Sequence, residues 1–157
     1  MRIWCNENLS STYNFIRLLK SVAEPVRPHV ICTHHNPEFA AFEISDESAL
    51  EPKRLDADAY LAHCLEFCRR KAIDVFMPGR GMLRAAEARA EFESAGVRLI
   101  LAADAVTMRL FDDKARFYAT VPPEVGEAPR FYNVTTAAGF SDAHRRGAIA
   151  GGQTRAA

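Results

Sequence analysis

Lys114 lies in LFDDKARFYATVPPE, residues 110–124, behind an acidic pair and at helical spacing from Phe111 and Tyr118. A lysine bordering an apolar stripe can lay its stem over packed side chains and aim its ammonium into a cleft, where it would hold an anion. The plainer reading is a surface lysine paired with Asp or Glu. Arg80 sits in Pro78-Gly79-Arg80-Gly81, between an apolar run and a helical pattern. Backbone N–H groups at such a helix start, with a planar guanidinium beside them, can bind a carboxylate or phosphate. An ordinary tight turn would carry the same glycines. His34 and His35 follow another apolar run, which suits acid–base work or simply a polar loop. No nucleophile with a matched base can be picked out by spacing, so no catalytic residue is assigned.

Cys64 and Cys68 are one helical turn apart beside His63, and Cys32 precedes His34 and His35. A metal site could use such ligands, but structural zinc sites favour short C-x2-4-C loops. Both cysteines also fall on the inward stripe of their helix, so core packing is the favoured reading and no metal ligand is assigned. The dinucleotide fingerprint G-x-G-x-x-G fails because position 84 is Arg, and no Walker A pattern occurs. Asn6, Asn8, Ser10 and Ser11 stand where a doubly wound fold often binds phosphate, yet no glycine there lets the backbone close in.

The elements that must position these residues follow from periodicity. Arg2–Cys5, residues 29–32, residues 74–78 and VRLIL at 97–101 read as strands. Ser10, Ser11 and Thr12 can cap a helix with Phe15, Leu18, Leu19 and Val22 on one face, closed by Glu24-Pro25. Asp56 caps the clearest helix, to about Lys71, with Ala57, Tyr60, Leu61, Cys64, Leu65 and Cys68 inward and Arg69, Arg70 and Lys71 in the last turn. Further helices are predicted from about Leu83 to Ala95, ending at Gly96, and from Asp104 to about Thr120, with Met108, Phe111, Ala115 and Tyr118 forming a stripe. Residues 37–55 read as an exposed connection with a short strand at Ala41–Ile44. The alternation predicts an α/β, Rossmann-like doubly wound sheet of about four parallel strands with helices on both faces. Ligands would then sit beyond the carboxyl ends of the strands.

At 157 residues the chain suits a single core, burying roughly 68–70% of its unfolded surface. Twenty Lys+Arg balance 20 Asp+Glu, interspersed, which removes the basic footprint of a nucleic-acid binder. The first twenty residues contain charges that fit neither a signal peptide nor a membrane span, and a cytoplasmic location is expected. The four cysteines then act as small hydrophobes rather than disulfides.

Taken together, IDVFMPGRG, AGVRLILAADAVTMRLFDDKARFY and VPPE resemble the N-terminal, pre-ATP-grasp domain of the ATP-grasp superfamily, in the style of carbamoyl-phosphate-synthase-like and carboxylate–amine ligase members. The resemblance covers residues 1–146. It implies that Lys114, in D-K-x-x-F/Y, reaches the α- and β-phosphates of ATP, and that Gly79, Arg80 and Gly81 contact a small carboxylate substrate. It also implies a Mg²⁺ ion, a second lysine, a glycine-rich lid and an adenine-holding strand, none of them found in residues 1–146. The expected organisation is therefore a domain at 1–121, the truncated start of an ATP-grasp region as a second βα unit at 122–146, and a fraying tail at 147–157. One charge-assisted contact contributes about 1.5–3 kcal/mol, whereas millimolar binding needs about 4 kcal/mol, so the chain alone should bind ATP poorly and be inactive without the remaining ATP-grasp domain or a partner chain. The alternative is a free-standing Rossmann-like module that binds a small anion or a partner protein. Neither reading involves nucleic acid or a membrane.

Overall fold

Apolar runs flanked by loop residues pair side by side, the inner ones burying both faces, as a parallel sheet requires. The computed structural model describes residues 1–7 and 11–125, and the chain divides into two compact units, Met1–Met108 and Arg109–Ala157. In the first unit β1 (Arg2–Asn6), β2 (His29–His34), β3 (Glu47–Leu50), β4 (Val75–Pro78) and β5 (Arg98–Leu99) form one parallel sheet in the order β3-β2-β1-β4-β5. Register sets Trp4 beside Ile31 and Phe76, and Cys5 beside Cys32 and Met77. Alternation along each strand then gives the sheet two different apolar faces.

On one face Trp4, Ile31 and Phe76 pack against Tyr60, Cys64, Leu65, Phe67 and Cys68 of α2 (Ala57–Lys71), and against Ala85 of α3 (Met82–Glu87) and Phe92 of α4 (Arg89–Ser94). The Trp4 indole is sandwiched by the rings of Phe67 and Phe76, with centroids 4.3 and 4.1 Å away. On the other face Ile3, Cys5, Val30, Cys32 and Val75 meet Phe15, Ile16 and Leu19 of α1 (Thr12–Lys20) and Ala41 of a 3₁₀ turn, Ala40–Glu43. Helices therefore cover both faces, as the alternation predicts. Asp56 caps α2 by accepting from the Ala59 N–H at 2.8 Å, and Gly96 leaves α4 at φ 77°.

The structure departs from the sequence reading where local pattern is weakest. Residues 41–44 are a 3₁₀ turn rather than a strand, and the additional strand is β3, which makes five instead of about four. ESAL is an edge strand with mostly exposed side chains, so it lacks the apolar run that betrays the others. On α1 the buried positions are Thr12 and Ile16, while Leu18 and Val22 are 65% and 40% exposed. The helix ends at Lys20, so Val22 never joins its stripe. The predicted helix at 83–95 is two helices meeting at Ala88.

The helix predicted from Asp104 to Thr120 is likewise two, α5 (Ala105–Asp112), which spans the division between the units, and α6 (Lys114–Ala119). Asp113 is extended at φ −92° and ψ 92°, and its carboxylate accepts from the Arg116 N–H at 3.0 Å, so it starts a new helix instead of continuing the old one. Phe111 and Phe117 pack edge to face within the second unit. Ser10, the βα unit expected within 122–146 beyond residue 125, and the tail at 147–157 lie outside the described residues. Among the described residues no helix is long and apolar enough to cross a membrane.

At the amino end of the sheet, Glu47 of β3 accepts from Lys71 at 2.7 Å and from Arg2 at 2.6 Å, with His29 at 3.0 Å. The Lys71 and Arg2 hydrogen bonds hold its carboxyl at about 2, below its ordinary 4.5. Because the folded value is depressed, this contribution to stability is complete above pH 4.5 and is lost as pH falls toward 2. Urea midpoints measured across that window should fall with pH in the wild type and fall less steeply in Glu47→Gln. Leu65 is 7% exposed in the core, and Leu65→Ala should cost about 2–5 kcal/mol in urea unfolding followed by the fluorescence of Trp4. An unchanged midpoint would remove Leu65 from the core.

Candidate functional site

Strand order turns back on itself at β1, with β2 and β3 on one side and β4 and β5 on the other. Loops leaving the carboxyl ends of β1 and β4 diverge at such a point, and the crevice between them is where this class of sheet binds ligands. Asn6 ends β1 there and is fully buried. Its Oδ1 accepts from the Gly79 N–H at 2.7 Å, and its Nδ2 donates to the Tyr60 hydroxyl at 2.7 Å. That hydroxyl donates to Glu51 Oε2 at 2.8 Å, while the Thr33 hydroxyl donates to Glu51 Oε1 and itself accepts from Trp4 Nε1 at 2.7 Å. Two donor chains thus converge on one buried carboxyl, and the network joins β1, β2, α2 and the loop after β4. Burial, then Cys64 and Glu51, push the Tyr60 hydroxyl far above its ordinary value, so it remains a proton donor to Glu51.

Arg80 lies over this network. Its guanidinium rests 4.1 Å from the centroid of the Tyr60 ring, and Nη1 donates to the Pro52 carbonyl at 2.8 Å. Gly81 adopts φ +73°, which favours glycine, and a Cβ there would come within 3.2 Å of the Tyr60 ring, a tight contact. Gly79 spends its N–H on Asn6. Arg80 and Gly81 border a cavity of about 210 Å³ whose walls include Leu55, Tyr60, Leu61, Cys64 and Arg84, with Phe76 and Phe92 at its apolar base. Arg84 bridges α3 to α2, pairing with Glu87 at 2.6 Å and with Asp58. The arrangement is a largely apolar pocket with Arg80, Arg84 and Asp56 at its wall; Arg84 is already paired with Glu87 and Asp58, so Arg80 is the cation that suits the acidic end of a small, partly apolar molecule.

Cys5, Cys32, Cys64 and Cys68 are free and buried. Burial pushes the Cys5, Cys32 and Cys68 thiols up to about 12, the state of packed hydrophobes rather than of reactive thiolates. His63 lies half-buried against the Tyr60 and Phe67 rings. His34 ends β2, its ring stacked on Phe39 at 4.1 Å and on His35 at 4.5 Å. Lys114 belongs to the second unit, is exposed, and opens α6. Glu51 escaped sequence reasoning because the strand before it is polar, and Tyr60 read as core only. The one legible sign was an Asn immediately after an apolar strand.

No family model matches the sequence, and no curated protein does. Solved structures do. Over 75% of this chain the fold matches the crystal structure of the biotin carboxylase subunit of pyruvate carboxylase, with a TM-score of 0.52 and 20% identity. Over 78% it matches a single-chain, multi-domain long-chain acyl-CoA carboxylase, with a TM-score of 0.54 and 17% identity. The shared property is the fold. The chain spans only 26% and 13% of the lengths of those two proteins. The Rossmann-like reading of the sheet is thereby supported on independent grounds.

Tyr60→Phe would strip Glu51 and Asn6 of a partner each while keeping the ring. A loss of about 1–3 kcal/mol in urea unfolding is expected, and an unchanged midpoint would show that the network contributes nothing.

Proposed function

We propose that residues 1–121 are the pre-ATP-grasp domain of an ATP-dependent carboxylate-activating ligase. The observation that carries this reading is the pairing of D-K-x-x-F/Y at Asp113–Phe117 with a parallel sheet whose fold recurs in two carboxylase structures. When bound, ATP supplies the phosphoryl group that makes a carboxylate open to attack by an amine.

On this reading the Lys114 ammonium neutralises the α- and β-phosphates. A lysine at the first position of α6 faces the positive end of the helix dipole, so helix stability gives no reason for it to be there. An exposed ammonium suits a phosphate, and the fit extends no further: Mg²⁺ ligands, a second lysine, a lid and an adenine-holding strand are assigned to an ATP-grasp region or a partner chain. Within the trio Gly79, Arg80 and Gly81, the carboxylate partner is Arg80. Its guanidinium is held by Tyr60 and Pro52 before any ligand arrives, which lowers the ordering cost of binding. Gly81 makes room for Tyr60, and Gly79 holds the loop to β1 through Asn6. A single lysine contributes about 1.5–3 kcal/mol, short of the roughly 4 kcal/mol of a millimolar complex, so the chain by itself binds ATP more weakly than that and does not turn over.

A second reading, a free-standing anion-binding module, is favoured by one observation: the Arg80 cavity is complete within the first unit. NMR titration of the 157-residue chain with ATP and with small carboxylates separates the two. On the ligase reading Lys114→Ala abolishes the ATP-induced shifts and is neutral or slightly favourable to stability, while Arg80→Ala abolishes those induced by carboxylates. ATP shifts equal in wild type and Lys114→Ala would overturn the assignment of Lys114. Loss of ATP and carboxylate binding together in Arg80→Ala alone would favour the module.

A further inference from the structure

A second cluster of polar side chains stands at the carboxyl ends of β1 and β2, apart from the Arg80 cavity. Glu7 follows Asn6, and its backbone N–H donates to the Thr33 carbonyl at 2.8 Å, holding it to β2. His34 is the last residue of β2 and His35 the next. Ligand atoms of Glu7, His34 and His35 all lie within 4.8 Å of one another.

Three features of Glu7 need a cause. Its backbone adopts φ +40°, an uncommon and costly conformation for a residue with a side chain. Its side chain is only 11% exposed. One oxygen, Oε2, meets His35 Nδ1 at 2.7 Å, while the other, Oε1, is buried without a hydrogen-bond partner among the described residues. A buried carboxylate oxygen left over in this way carries a desolvation cost that a cation would remove. The imidazoles are also pre-oriented, because Phe39, His34 and His35 stack face to face at 4.1 and 4.5 Å.

We propose that Glu7, His34 and His35 form a binding site for a borderline divalent transition ion of the Zn²⁺ class. Two imidazole nitrogens and one carboxylate oxygen suit such ions and not Mg²⁺ or Ca²⁺, which take oxygen donors. Three protein ligands leave a fourth position for water. Glu7 and His35 are already adjacent. His34 Nδ1 accepts from the Asn36 N–H at 3.0 Å, so His34 joins the site through Nε2 or by exchanging that bond for the metal. The inference does not depend on the ligase reading.

Zn²⁺ competition against a chromogenic chelator, with Co²⁺ absorption as a second probe, tests it on the full chain. One equivalent of Zn²⁺ should bind at micromolar or lower concentration, and Co²⁺ should show the visible bands of a four-coordinate nitrogen–oxygen site. His35→Ala and Glu7→Gln should each weaken binding by at least the roughly 10–100-fold that even an outer partner of a metal ligand is worth. His63→Ala, beside the buried cysteines, should leave it unchanged. If Glu7→Gln fails to fold by Trp4 fluorescence, His35→Ala decides alone, since its side chain is 53% exposed. Binding no tighter than millimolar, binding indifferent to His35→Ala, or binding lost in His63→Ala would each overturn the proposal.

Discussion

Asn6 is the residue on which the carboxyl edge of the sheet depends. It is fully buried at the point where strand order reverses, and its amide faces two ways, accepting from the loop after β4 and donating to α2 through Tyr60. An apolar residue in its place would leave the Gly79 N–H only the backbone carbonyl of residue 6, at 3.0 Å, and would take from the buried Tyr60 hydroxyl the amide that donates to it. Beyond Tyr60 the same chain of bonds runs to Glu51 and Thr33 and ends at the indole of Trp4, inside the hydrophobic core. The polar edge and the aromatic centre are thus one connected structure. Displacing Tyr60 would move both the support of Arg80 and a wall of the cavity.

This connection explains why Arg80 is a better candidate than its sequence context alone made it. A guanidinium on an exposed loop has many orientations, and a ligand must select one. Here the Tyr60 face and the Pro52 carbonyl already restrict it. The pocket beside it is otherwise mostly apolar, so an acidic group entering there would meet a charge in a medium that screens it less than water does.

Legibility in the sequence followed the strength of local signals. α2 could be read almost to the residue, because Asp56 is a strong cap and Tyr60, Cys64, Leu65 and Cys68 keep helical spacing. The buried strands β1, β2 and β4 were legible as apolar runs, and their alternation with helices fixed the parallel sheet. β3 was not, since a mostly exposed edge strand obeys pairing rather than hydrophobicity. The break at Asp113 was missed because an acidic pair within an apolar stripe reads equally well as a helix surface. At the site, Arg80 and Gly81 could be found from the loop that holds them. Glu51 and the roles of Asn6 and Tyr60 could not, because a hydrogen-bond network joins residues 6, 33, 51 and 60, whose proximity no short-range pattern encodes.

The two flanks of the sheet have a consequence for how this domain behaves in a crowded solution. An open flank displays unpaired amide and carbonyl groups that invite a foreign strand. At about 3.3 Å per residue, four residues of β3 give a seam of roughly 13 Å, and the two of β5 about half that. Seams this short leave an incoming segment few bonds to make, and Glu47 places a charged group at the start of the longer one. Brevity at the margins thus works against edge-to-edge pairing of this sheet.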